Sequence, residues 1–290
     1  MRGMSDDPSV ILKHSGYRAV IERDRFVPGA YELVVDGTPQ SHVNLEDPSQ
    51  LFFEYIQRMG NVIDLIGDPG SPLTAVHLGA GAMTLPRYIA ATRPGSRQQV
   101  IELEPGLVEL VRSVLPLPRG AEVRVRYGDA REVLGRLPAG LMGTADLVVV
   151  DIFSGARTPA HVTSQEFYTE AARLLSPTGI MLVNVADGPP VRFARSQAAT
   201  LAQVLPHAAV LAEAQVVKGR RFGNFVLVGS AAPLPEKWLP RLMAAGPHPA
   251  VAVLGSDFEE FARGGLVVTD ATATPSPPPA RSIFQVKPGK

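Results

Sequence analysis

The sequence predicts an α/β protein: a doubly wound, mainly parallel sheet preceded by a small N-terminal β-region. Between residues 72 and 230, short apolar runs alternate with stretches of helical periodicity, the pattern of strands joined by helical crossovers. One run, Leu147-Val148-Val149-Val150, is apolar at four successive positions, as a central strand buried on both faces requires. The first 66 residues differ, with short β-type runs separated by turn dipeptides.

Residues 1–66 divide into the β-region and a connecting helix. Runs at 17–21, 31–35 and 40–43 are punctuated by Pro28-Gly29 and Asp36-Gly37. From 50 to 66, Leu51, Phe52, Tyr55, Ile56, Met59 and Ile63 recur at three-and-four spacing and predict a helix. Asp47-Pro48-Ser49 stands before it as a cap. Residues 67–230 form the sheet domain, Rossmann-like, with seven strands expected at 74–78, 99–103, 123–125, 147–150, 180–185, 208–211 and 224–229. Helices are expected near 84–93, 105–115, 130–137, 164–175 and 190–204. Residues 231–268 read as a helical extension. Residues 269–290, with Pro275, Pro277, Pro278 and Pro279 and little apolar content, read as a disordered or extended tail.

Composition narrows the function classes. Hydrophobic residues make up 45%, enough for a sizeable core. Lys+Arg and Asp+Glu are 28 each, so the formal net charge is +0, without the basic excess that nucleic acid or an anionic membrane surface attracts. The absence of cysteine excludes disulfides, thiolate metal sites and cysteine nucleophiles. His14, His42, His77 and His207 show no metal-ligand spacing, so no metal is expected. The start, MRGMSDDPSV, has no apolar signal core, and no run approaches the roughly 18 apolar residues of a bilayer span. A cytoplasmic, globular protein acting on small molecules is the expectation.

Ligands of open parallel sheets bind at the carboxyl ends of the strands. There the sequence places Gly79-Ala80-Gly81 after the first strand, Glu102 after the second, Gly128-Asp129-Ala130 after the third and Asp151 after the fourth. Glycines let the backbone turn tightly and approach a ligand. A carboxylate after the second strand can accept both hydroxyls of a ribose, and Asp129 can accept from an adenine amino group. Each feature alone has a plainer reading: Gly-x-Gly as a turn, Glu102 as a solvated charge, Asp129 as a helix cap. Their order and spacing together read as a nucleoside site. Thr84 occupies the third glycine position of the NAD fingerprint, so that fingerprint fails, and no P-loop pattern exists.

Over roughly residues 17–230 the chain resembles the spermidine synthase-like family of polyamine aminopropyltransferases. Asp36-Gly37-Thr38-Pro39-Gln40 resembles the family's Asp-Gly-x-x-Gln hairpin, and Glu54 falls in its Tyr-His/Gln-Glu segment. Gly79–Thr84 falls on its glycine-rich turn, Glu102-Leu103-Glu104 on its ribose-holding Glu-Ile-Asp, and Gly128-Asp129-Ala130 on its adenine-binding turn. Asp151 aligns with its catalytic aspartate, and Gln165-Glu166-Phe167-Tyr168 covers its Glu-Phe-Tyr segment. The resemblance implies a methyltransferase-type sheet, an S-adenosylmethionine or decarboxylated S-adenosylmethionine donor, and a homodimer or homotetramer. Four family residues on the amine side are missing. The acid that meets the aminopropyl ammonium is Ala82, the second acid of the catalytic loop is Ser154, and Phe52-Phe53 replaces Tyr-His/Gln.

A buried ammonium without a carboxylate costs several kcal/mol. The expected function is therefore transfer of a methyl or aminocarboxypropyl group from a sulfonium donor to a non-polyamine small-molecule acceptor. Asp151 would take the acceptor's proton. Gly79, Gly81, Glu102, Gly128, Asp129 and Ala130 would hold the donor, and Tyr17, Gln40, Glu54 and Ser154 would line the acceptor side. An aminopropyltransferase that accommodates its amine differently and a non-catalytic nucleoside-binding paralogue are the alternatives. His161 is a second base candidate. Asp187-Gly188-Pro189-Pro190 is either a pocket cover or a helix-start turn, and Gly219-Arg220-Arg221 reads as a solvated basic turn.

Overall fold

Alternation and turn chemistry build the N-terminal part first. In a computed structural model that describes residues 7–235 and 237–279, four strands form an antiparallel sheet in sequence order: β1 (Ser9–Ile11), β2 (Arg18–Arg23), β3 (Ala30–Val35) and β4 (Thr38–Asn44). Ala19, Ile21, Leu33, Val35 and Val43 turn to one face and bury there against Leu107, Leu110 and Val111. That packing seats the small sheet over one end of the large one.

The connecting helix α1 (Glu54–Ile63) begins later than its apolar pattern. Asp47-Pro48-Ser49 does not cap it. Phe53 holds the cap position without a side-chain bond, and the Asp47 carboxylate instead closes a local turn by accepting from the backbone and hydroxyl of Ser49.

The large sheet then follows: β5 (Thr74–Leu78), α2 (Thr84–Thr92), β6 (Arg97–Glu102), α3 (Pro105–Val114), β7 (Glu122–Tyr127), α4 (Ala130–Leu134), β8 (Ala145–Val150), α5 (Gln165–Ala172), β9 (Leu175–Asp187), α6 (Arg192–Val204), β10 (His207–Glu213), α7 (Ala214–Val217), β11 (Gly223–Ser230), α8 (Trp238–Ala245), β12 (Ala250–Val253) and α9 (Gly255–Arg263). Strand order is β12-β10-β11-β9-β8-β5-β6-β7. Neighbours from β7 to β9 pair in parallel, whereas β11 is antiparallel to both β9 and β10. The predicted fold class stands. Chain progression reverses between β5 and β8, and that switch point opens the crevice at their carboxyl ends.

The sheet is one strand wider than the seven expected. β12 lies in the stretch read as purely helical and pairs antiparallel with β10, Val210 opposite Val253. Its four residues between Pro249 and Gly255 are too few to show a period. The described part of the tail also departs from a free end. It has no helix or strand, yet Ser276 is fully buried and exchanges hydrogen bonds with Thr158 and Arg157. Asp270 takes two 2.7 Å bonds from Arg131, which hold its carboxyl down at about 2. Residues 280–290 of that tail lie outside the described residues.

Among the described residues, Arg87 and Arg93 are buried without a carboxylate partner. Arg87 donates from Nε to the Ala82 carbonyl (3.0 Å), from Nη1 to Pro116 (2.7 Å) and from Nη2 to Leu115. Burial lowers its pKa to about 10, still charged at neutral pH. One side chain thus ties the turn after β5 to the loop after α3. Arg93 does the same for the carbonyls of Ile63, Asp68 and Ser71. Among the described residues no helix is long and apolar enough to cross a membrane.

Arg87→Met keeps the aliphatic stem and strands three carbonyls, those of the buried Ala82 and Leu115 among them. Equilibrium urea unfolding should show a loss of about 3 kcal/mol; a loss below about 1 kcal/mol would mean that water replaces the guanidinium there.

Candidate active site

Backbone ladders bring the strand ends together. Gly79 donates to the Ile101 carbonyl, Gly128 to Glu102 and Asp151 to Leu78, each at 2.9 Å. Gly79 has φ +96°, and a Cβ there would lie 2.2 Å from the Asp151 carbonyl oxygen. Gly81 has φ +48°, and its Cβ would meet the Ser41 hydroxyl at 2.5 Å. Glycine is therefore imposed twice, once by the sheet and once by the N-terminal strand β4.

These ends line one cavity of about 180 Å³. Gly79, Gly81, Glu102, Gly128, Asp129, Ala130 and Asp151 all border it, as do Tyr17, Gln40 and Ser154. Of the residues singled out in the sequence, Glu54 does not. It borders a second cavity, of about 290 Å³, and pairs with Arg58 at 3.3 Å. The two cavities share Gln40, Tyr55, Phe153 and Gly155.

Glu102 accepts from the N–H groups of Ala80 (2.9 Å) and Glu104 (2.9 Å), one on each oxygen. A carboxylate has about four acceptor positions, so each oxygen keeps one for a ligand hydroxyl. Burial pushes its pKa up, against those two N–H groups. Glu104 fastens the N-terminal loop over the cavity by accepting from His14 and Ser15. Burial alone would raise its carboxyl; the two N–H groups outweigh that and leave it below the ordinary value.

Asp129 has two jobs. Its Oδ1 caps α4 by accepting from Arg131 and Glu132. Its Oδ2 lies 2.7 Å from His161 Nε2. His161 thus belongs to the Asp129 side of the cavity rather than serving Asp151. His77 also borders the cavity; burial drops its pKa to about 4, so it is neutral at pH 7.

Asp151 follows the four apolar residues of β8. Its Oδ1 accepts from Asn184 (2.8 Å) and its Oδ2 from the Tyr55 hydroxyl (3.3 Å). Asn224 Nδ2 in turn donates to the side-chain amide oxygen Oδ1 of Asn184 at 2.9 Å. Burial raises the Asp151 pKa, and the two donors oppose it. Burial and the nearby carboxylate push the Tyr55 phenol well up, so it remains a donor. Sequence reasoning missed Tyr55, Asn184 and Asn224. The available signal was Asn184 itself, an amide inside the apolar run Ile180-Met181-Leu182-Val183-Asn184-Val185.

On the other wall, Gln40 donates to the Gly155 carbonyl at 3.0 Å, and Tyr17 packs on Gly155. Ser154 is exposed at the rim, where its backbone pairs with Arg157. Ala82 is 1% exposed within the apolar cluster under the N-terminal sheet. Asp187 is a buried cap, accepting from Gly188 and Ala194 at the start of α6, so its turn is the helix-start device. Among the described residues no group of three or more His, Asp or Glu could hold a metal ion.

No family model matches the chain. It is similar to the polyamine aminopropyltransferase of Vibrio vulnificus (strain CMCP6), 28% identical over 142 residues, 48% of this chain and 46% of that protein. The chain spans about half the length of the curated relatives it matches. Among solved structures, a probable spermidine synthase from Corynebacterium glutamicum ATCC 13032 aligns with a TM-score of 0.82 and 30% identity, over 92% of this chain and 97% of that one. The spermidine synthase from Thermotoga maritima aligns with a TM-score of 0.57 and 15% identity, over 80% and 75%, a likeness of fold.

Gly79→Ala forces a methyl group onto the Asp151 carbonyl at a left-handed backbone position. It should cost more than about 1 kcal/mol in thermal unfolding and raise amide exchange at Asp151. Unchanged exchange there would mean that the two strand ends are not tightly coupled.

Proposed function

The chain belongs to the spermidine synthase-like family, and from that footing we propose that it transfers an alkyl group from an S-adenosylmethionine-type sulfonium donor to a small acceptor. The observation that carries the reading is the convergence of two glycine turns and the half-buried Glu102, Asp129 and Asp151 on one cavity. The cavity fits such a donor. At the turn the Asp151 carbonyl and the Ser41 hydroxyl leave no room for a side chain on Gly79 or Gly81, and Glu102 keeps acceptor positions for ribose hydroxyls. Asp129 and Ala130 border the same cavity, where this reading seats the adenine. When bound, the donor supplies an electrophilic carbon beside a charged sulfur.

Asp151 is the proton acceptor. As the acceptor's nitrogen or oxygen bonds to the carbon, the carbon–sulfur bond breaks, its electron pair stays on sulfur, and the proton passes to Asp151. Asn184 and Tyr55 hold the carboxylate in place, and its raised pKa makes it a better base. Positioning of donor and acceptor supplies the rest of the acceleration.

The acceptor in this reading is not a simple polyamine, and the transferred group is methyl or aminocarboxypropyl. Ala82 presents a buried methyl group, Ser154 an exposed hydroxyl and Phe53 no charge. The second reading, aminopropyl transfer from decarboxylated S-adenosylmethionine, is favoured by the names of the curated relatives. Calorimetric titration with S-adenosylmethionine, its decarboxylated form and methylthioadenosine separates them. Preference for the carboxylated donor supports the first reading and preference for the decarboxylated donor the second; no binding of any of the three would sink both.

Glu102→Ala and Asp129→Ala should each weaken donor binding by about 1–3 kcal/mol, as read by the same titration. Asp151 works only when ionised, and burial raises its pKa. Turnover should therefore fall on acidification with a midpoint above about 3.9, the ordinary aspartate value. Asp151→Asn should abolish turnover while donor binding persists, and a fully active variant would rule out the base role.

A further inference from the structure

The second cavity carries charge that no motif predicted. Glu213, at the end of β10, has a side chain only 9% exposed, and it borders that cavity. Its Oε2 lies 2.9 Å from Arg221 Nη1, yet receives no well-aligned hydrogen bond among the described residues. Arg221 is 56% exposed, on the turn between α7 and β11. Glu54 and the buried Arg58 supply a second acid–base pair on the same walls.

Charge matching identifies the occupant. Two carboxylates face two guanidiniums, so the walls are neutral as a whole. A diamine brings only positive charge, and each carboxylate already has a cation. A molecule with one ammonium and one carboxylate leaves every charge matched when it enters, which matters where desolvation is costly. Asn184 and Asn224 border this cavity and lead by hydrogen bonds to Asp151.

We propose that the second cavity is the acceptor site for a small amino-acid-type zwitterion, its ammonium on Glu213 and its carboxylate on Arg221, with a nucleophile at its far end presented to Asp151. The inference rests on the transferase reading above and names its acceptor class. The bond changes are those already given: the far-end amine or hydroxyl gains the alkyl group and loses its proton to Asp151.

Matched pairs isolate the carboxylate. L-ornithine against putrescine, and L-lysine against cadaverine, differ by that group alone. Each is titrated into the full chain with and without methylthioadenosine, so the preference is measurable whether or not the donor site works. The amino acids should bind at least about tenfold tighter, a difference of about 1.4 kcal/mol. Arg221→Gln, at an exposed position that should not disturb folding, should erase the preference. Glu213→Gln should weaken all four ligands at least about tenfold, with methylthioadenosine binding unchanged in both variants. Equal or tighter binding of the diamines, or a preference that survives Arg221→Gln, would overturn the proposal. Methylthioadenosine binding without the amino-acid preference would overturn it alone. A preference without any donor binding would instead overturn the transferase reading.

Discussion

Everything at the crevice depends on how closely the backbones of β5 and β8 approach. The Asp151 N–H bonds the Leu78 carbonyl, and the Asp151 carbonyl occupies the space where a side chain of residue 79 would stand. That contact fixes two things at once. It forces the left-handed turn that opens the cavity, and it places the carboxylate of Asp151 beside that turn. The glycine turn and the acid are one rigid unit because they are neighbours in a ladder, not because their side chains meet.

Around that unit the structure spends its polar groups on holding charge in place. Glu102 and Glu104 are held by backbone N–H groups, Asp129 by a helix start and His161, and Asp151 by an amide and a phenol. Buried carboxylates survive only when such donors offset lost hydration. Arg87 and Arg93 act in reverse, as buried cations satisfied by carbonyls, and they tie loops rather than ligands. Acids therefore gather where the strands end, and cations brace the back of the turn.

Legibility in the sequence followed the periodicity. The apolar run before Asp151 marked a central strand, and the glycine and acid at successive strand ends marked the cavity, because both signals are local. β12 was not legible: Ala250-Val251-Ala252-Val253 is four small residues next to a proline. Tyr55 was passed over for Glu54 because a family segment points to the acid, whereas the helix turns the tyrosine toward Asp151. The second cavity draws on residues from 38 to 58, 153 to 156, 184 to 186 and 213 to 224 and on Pro279, a conjunction that only the fold creates. Arg221 likewise reads as a solvated turn until the hairpin sets it against Glu213.

A crystal structure of the full chain with methylthioadenosine bound tests the nucleoside site most directly. The ribose hydroxyls should lie on Glu102, the adenine amino group on the Asp129 side, and the sulfur should face Asp151 across the glycine turn. A nucleoside seated elsewhere, or one that leaves Glu102 and Asp129 untouched, would contradict that placement.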